Sequence, residues 1–188
     1  RLAFCSSRRR LECQAVSQQP GKSAGRVMLI MAWAAALFLA TRFFADWEAH
    51  QENPNTVVSS QQHEGYIEVQ LAGNRLGHFV ASGHINGRPV QFMLDTGATD
   101  VSVPADLAER LGLERGAPVT LSTANGRSEG YRTRIELLQL GDIVLRDVAA
   151  LVAPGLDGDQ VLLGMSALKK LEFTQRGGSM LLRQTTNQ

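Results

Sequence analysis

Asp95-Thr96-Gly97 is the tripeptide of this sequence best suited to chemistry. Three apolar residues, Phe92-Met93-Leu94, precede it, so the carboxylate falls where a buried strand ends. Thr96 adds a hydroxyl that can lock the carboxylate or a neighbouring loop. Gly97 permits a tight reversal and close backbone approach, and its amide can hydrogen-bond the Asp95 side chain. A carboxylate held in this way can act as a general base toward water. A lone Asp-Thr-Gly is often only a turn. The flanks set this one apart: Ala98-Thr99 follow it, then Val101-Ser102-Val103 and Pro104.

Other chemistries fit the same letters less well. Asp-x-Gly-x-Thr after an apolar strand is also the phosphate-binding turn of the actin and sugar-kinase ATPase fold. That fold needs two lobes and several hundred residues, and this chain has 188. An Asp-x-Asp phosphatase pattern fails because position 97 is Gly. Gly164-Met165-Ser166-Ala167-Leu168 resembles a serine nucleophile elbow but lacks its second Gly. His78 and His84 share strand parity, yet lie about 20 Å apart along an extended chain. Asp157-Gly158-Asp159 is too short for a calcium loop. No metal and no cofactor is expected. Arg127, Arg132 and Arg134 read as solvated hairpin charges, and Lys169-Lys170 as an exposed helix face.

The elements that must position Asp95 are short strands. Tyr66–Leu71 alternates, His78–Ile85 reads as a second strand, and Arg88–Leu94 returns as a third through Asn86-Gly87, a strong hairpin signal. Val101–Val103 is a brief strand. Pro104–Leu113 is a short helix with Leu107 and Leu111 on one face and Gly112 as its stop. Val119–Thr123 and Gly130–Leu140 flank a second Asn-Gly turn. Ile143–Leu145, Val148–Val152 and Val161–Gly164 are further strands. Met165–Leu171 reads as a short helix, and Phe173–Leu182 as a final hairpin around Gly177-Gly178. Short strands at this spacing, with two brief helices, indicate an all-β domain, a small barrel or sandwich.

The chain ahead of this domain is different. Residues 1–26 carry a net charge of +5, and residues 63–188 a net −2, within a whole-chain +1. That balance gives no electrostatic reason to expect nucleic acid. Cys5 and Cys13 are the only cysteines, so the domain has neither a disulfide framework nor a thiolate metal site. The pair reads as incidental and reduced. Val27–Ala40 is uncharged, and extension to Ala45 adds one charge, Arg42, over nineteen residues. A single-pass membrane anchor over 27–45 is the favoured reading. A cleaved signal peptide and a buried or interfacial helix are the others. The basic leader then places the N-terminus in the cytoplasm and the main domain outside the cell membrane, periplasmic or extracytoplasmic. The chain opens on Arg1 rather than Met, and a start at Met28 would remove those charges. Residues 46–64 are polar and aperiodic and read as a linker. Exposure alone would make 53–62 a self-cleavage region.

Leu94-Asp95-Thr96-Gly97-Ala98-Thr99, together with Val161-Leu162-Leu163-Gly164 and a short helix, resembles the retropepsin-like aspartic proteases. Gly77-His78-Phe79, Ile85-Asn86-Gly87, Leu94–Pro104, Thr123-Ala124-Asn125-Gly126 and Leu162-Leu163-Gly164-Met165-Ser166 narrow the resemblance to the membrane-anchored, single-domain members of bacteria. It covers residues 63–183. It implies a small closed β-barrel of acid-protease type with short helices, preceded by a transmembrane helix, with a domain over 65–183 and a polar tail over 184–188.

The resemblance also implies a homodimeric endopeptidase acting on protein or peptide substrates. Such hydrolysis needs two carboxylates about 3 Å apart sharing one proton. One acts as base toward water while the other polarises the scissile carbonyl. A two-fold dimer would supply Asp95 twice, with Thr96 and Gly97 bracing each copy. Thr123, Ala124, Asn125 and Gly126 would form the flap over an extended peptide. Ala98, Thr99, Leu163 and Gly164 would support the Asp95 loop, Gly164 by leaving room for it. Retroviral relatives interleave their termini, whereas this chain ends in a short polar tail. Co-anchoring in a membrane would raise the effective concentration of protomers. The rival reading, from another class, is a non-catalytic module of the same fold that binds peptides or proteins. It has no chemical need for an Asp beside Thr-Gly.

Overall fold

The computed structural model describes residues 21–123, 126–156 and 158–186. The chain forms two units, divided between Phe44 and Ala45. Helix α1 (Gly21–Glu52) holds the apolar run. Ala, Leu and Met are strong helix formers, and this stretch is apolar all round rather than on one stripe. Residues 24–50 are exposed along its whole length. It is the one helix among the described residues long and apolar enough to cross a membrane.

The segment read as a linker carries structure. Helix α1 continues to Glu52, and Ser60–His63 forms strand β1, paired antiparallel with β2 (Tyr66–Ala72). Between them Asn53 and Asn55 are buried, at 2% and 7% exposure, so the exposure that would favour cleavage is missing at both. Asn55 inserts its amide between strands. Its Nδ2 donates to the carbonyls of Ala72 (2.8 Å) and Val80 (2.7 Å), and its Oδ1 accepts from the Ala72 N–H (2.8 Å). The Ser82 N–H donates to its carbonyl (3.0 Å). Asn53 Oδ1 accepts from the Asn55 N–H, and its Nδ2 donates to Ser82 Oγ. Asn-Pro-Asn looks like turn chemistry in sequence. Its partners lie 17 to 29 residues away, where local pattern does not reach.

Strands β3 (Phe79–Ile85) and β4 (Arg88–Leu94) form a hairpin. Asn86 and Gly87 both take positive φ, 50° and 77°, as a tight two-residue turn requires. Then come β5 (Val101–Pro104), α2 (Ala105–Leu111), β6 (Pro118–Thr123), β7 (Gly126–Leu140), β8 (Ile143–Ala153), β9 (Gln160–Leu163) and α3 (Met165–Leu168). Strand order is β3-β4-β9-β5-β8-β7-β6. A further pairing of β3 with β7, His84 to Gln139 and Ile85 to Leu138, closes six of these strands into a barrel. Phe92, Ile85, Ile135, Leu138, Leu140, Ile143 and Leu163 fill it, all under 2% exposed. A second sheet has the order β1-β2-β11-β10, with β10 (Glu172–Arg176) and β11 (Ser179–Thr185) as the last hairpin.

The all-β barrel class read from the sequence is the class observed. Local readings differ in several places: β7, expected from Gly130, begins at Gly126, and α2, expected over Pro104–Leu113, is Ala105–Leu111. Residues 143–152, expected as two strands, are one. Asp147 takes φ 52° and interrupts the regular backbone, yet the register to β7 is the same on both sides, Leu137 to Arg146 and Ile135 to Val148. The last helix stops at Leu168 rather than Leu171. The two parallel pairings, β4 with β9 and β5 with β8, join strands distant in sequence, which local patterning does not specify.

Asn55→Ala leaves the Ala72 N–H without its acceptor and removes a donor from the carbonyls of Ala72 and Val80, the latter bond buried. It should lower stability by about 2–4 kcal/mol, read by denaturant unfolding of the full chain in detergent. A loss below about 0.5 kcal/mol, the usual range for surface positions, would mean that the segment merely rests on the domain.

Candidate active site

Asp95 sits one residue past the end of β4, where β4 runs beside β9 with Leu94 opposite Leu163. The Asp95 N–H donates to the Leu163 carbonyl (3.2 Å), extending that pairing to Asp95 itself. The chain then turns: the Ala98 N–H donates to the Asp95 carbonyl (3.2 Å). Inside the turn the Gly97 N–H donates to Oδ1 of Asp95 (2.9 Å), fixing one carboxylate oxygen. Asp95 is half-buried, while Thr96 and Gly97 are exposed at the tip.

The loop is clamped from the far end of β9. The Met165 N–H donates to the Ala98 carbonyl (2.8 Å) and the Ser166 N–H to the Thr99 carbonyl (2.9 Å). These bonds bring the backbone of Gly164 against the loop. A Cβ on Gly164 would lie 2.8 Å from the Ala98 carbonyl oxygen and closer still to that of Asp100. Only a residue without a side chain fits this crossing. Leu163, 1% exposed, holds the other side of Gly164 in the core.

Ser166 is a supporting residue to which sequence reasoning gave no role. It is 6% exposed. Its Oγ accepts from the Val101 N–H (2.9 Å) and donates to the Ala149 carbonyl (2.7 Å), so one hydroxyl joins α3, β5 and β8. The available signal was a lone hydroxyl within the apolar stretch Val161–Leu168.

Strands β6 and β7 form a long hairpin whose last described pair is Thr123 opposite Gly126. Ala124 and Asn125, the expected flap tip, lie outside the described residues, as do Cys5, Cys13 and Asp157. Arg134 forms an exposed ion pair with Asp147 (2.6 Å). Among the described residues no cluster of His, Cys, Asp or Glu is placed to hold a metal ion. Asp95 therefore offers a half-buried carboxylate, with one oxygen held by a backbone amide, on a loop fastened at both ends.

The closed barrel that carries this strand crossing is of the aspartic-protease type. Residues 81–170 match the family model described as gag-polyprotein putative aspartyl protease. An uncharacterized protein from the cobV 5′ region of Sinorhizobium sp. is 36% identical over 115 residues, 60% of this chain and 49% of that protein. Uncharacterized protein RP867 of Rickettsia prowazekii is 26% identical over 160 residues, 80% of this chain and 68% of that protein. The chain thus spans about half the length of the first of these relatives. The crystal structure of a retropepsin-like aspartic protease from Rickettsia conorii matches with a TM-score of 0.53 at 26% identity, over 68% of this chain and 94% of that one. In fold the domain is that of the retropepsin-like aspartic proteases.

Gly164→Ala forces a methyl group into backbone carbonyls that cannot rotate away. The expected cost is on the order of 3 kcal/mol, read as a lowered unfolding midpoint of the full chain. Unchanged stability would show that the loop can slide off β9.

Proposed function

We propose that this chain is a membrane-tethered aspartic endopeptidase, active as a homodimer with one Asp95 from each protomer. The observation that carries the reading is the Asp95 carboxylate, half-buried and fixed by the Gly97 amide on a loop braced by Gly164. One carboxylate cannot serve as general base toward water and general acid toward the carbonyl in the same step. Two copies about a two-fold axis can. Like charges at such short range hold one proton between them. The ionised partner takes a proton from water as the oxygen attacks the scissile carbonyl carbon. The protonated partner hydrogen-bonds the carbonyl oxygen and stabilises the tetrahedral intermediate. Proton transfer to the amide nitrogen then releases the amine and the carboxylic acid. In this reading Thr96 and Gly97 brace the dyad, and Thr123–Gly126 close over a peptide bound in extended form.

Helix α1 supports the tether, since its apolar surface has no protein cover and its length suits a bilayer. The same helix fits a signal sequence. The net +5 of residues 1–26 favours an anchor with the domain on the extracytoplasmic side. The rival is a tethered module that binds peptides without cutting them.

The test uses the full chain in detergent with a mixed peptide library across roughly pH 4–7. Products are read by mass spectrometry at several protein concentrations. The wild type should cut, with specific activity rising with concentration. Asp95→Asn should lose at least about a thousandfold in rate, with an unchanged circular dichroism spectrum. A folded wild type that retains peptides but never cuts them would establish the binding module. Cleavage by Asp95→Asn at the wild-type rate would remove Asp95 from the chemistry.

A further inference from the structure

The dimer invoked under the proposed function needs a surface, and the structure offers an unpaired strand edge suited to one. Sheet β1-β2-β11-β10 ends on β10, Glu172–Arg176, which among the described residues pairs with β11 alone and is exposed at all five residues. Such an edge is a template for another strand. Its hairpin fixes which backbone groups are free. Gly177 and Gly178 have φ of 56° and 77°, and Arg176 lies opposite Ser179 across this two-residue turn. In such turns the flanking pair exchanges both hydrogen bonds, and alternate residues outward from it do the same. Arg176, Thr174 and Glu172 thus spend their amides and carbonyls on β11. Those of Phe173 and Gln175 point to the open side.

The geometry points to β10 as the two-fold interface between two copies of this chain, paired antiparallel about Thr174. In that register Thr174 faces Thr174 of the second copy as a non-hydrogen-bonded pair. Phe173 and Gln175 of each copy face Gln175 and Phe173 of the other and exchange four backbone hydrogen bonds. Glu172 faces Arg176 of the second copy, and Arg176 faces its Glu172, so opposite charges meet at both ends. Shifting the strand by one position loses this match. Among the described residues neither Glu172 nor Arg176 is in an ion pair, since Arg183, across from Glu172, is taken by Glu68 at 2.7 Å. Phe173, 38% exposed, gains cover. The opposite edge, β1, is Ser-Gln-Gln-His and carries no acid–base pair. The four-stranded sheets of two protomers would then join into one of eight strands. The short segment from Gly164 to Glu172 ties that seam to the clamp under Asp95.

This inference rests on the homodimer reading, and its test separates the two. In the full chain with Cys5→Ser and Cys13→Ser, Thr174→Cys places thiols across the axis. Cα atoms of a non-hydrogen-bonded antiparallel pair lie about 4.5 Å apart, inside the disulfide range of about 4.4–6.8 Å. Mild oxidation in detergent should give a reducible covalent dimer, and Gln61→Cys on β1 should give none. Glu172→Arg and Arg176→Glu should each raise the dimer dissociation constant at least about tenfold by setting like charges opposite each other twice. Mixing the two variants should restore association, because the heterodimer regains both opposite-charge pairs. A folding defect would not be rescued in this way. A wild type that cleaves and sediments as a dimer, while Thr174→Cys stays uncoupled, would overturn the β10 interface and leave the protease standing. A coupled Thr174→Cys dimer without any cleavage would support the interface and count against the protease. A full chain that is monomeric at every concentration would overturn both.

Discussion

The absence of a side chain at Gly164 is the constraint on which the rest depends. Here β9 leaves the barrel and crosses under the loop that follows β4, at a backbone separation a methyl group would not survive. Everything chemical is stacked on that crossing. The parallel pairing of β4 with β9 ends in the Asp95 amide. The two amides after Gly164 hold the carbonyls of Ala98 and Thr99, and Ser166 carries the clamp on to β5 and β8. A carboxylate that must stay in one place is thus held by backbone groups, which carry no rotamer freedom of their own.

What was legible in the sequence was local. The alternation of Tyr66–Leu71, the Asn86-Gly87 turn and the stop at Gly112 follow from neighbours a few residues away, and the structure has them where the pattern puts them. The family resemblance was legible for another reason: Asp95-Thr96-Gly97 and Leu162-Leu163-Gly164 are two halves of one crossing, and both halves leave a mark in the letters. What escaped depended on long-range partners. The parallel pairings, the hydroxyl of Ser166 between two strands, and the buried amides of Asn53 and Asn55 all join residues many positions apart. A polar residue whose partner is distant looks like loop until the fold brings the partner to it.

The barrel closes through a narrow seam. Only His84 with Gln139 and Ile85 with Leu138 register between β3 and β7, whereas β7 and β8 pair along most of their length. Strand β7 serves both structures, since its first residues pair with β6 in the long hairpin and its last ones seal the barrel. The hairpin therefore grows from the barrel wall itself rather than from a separate loop. Its arms inherit the position of the wall.

The Asn53–Asn55 clasp determines what proteolytic shedding would release. A cut among residues 45–52 falls before the clasp and would free a soluble domain with every interstrand amide still in place. A cut at Val57, which is 89% exposed and only two residues past Asn55, would take the clasp away with the helical segment. The domain left behind would carry bare polar groups along β2 and β3. Two nicks a few residues apart would thus yield an intact domain in one case and a weakened one in the other.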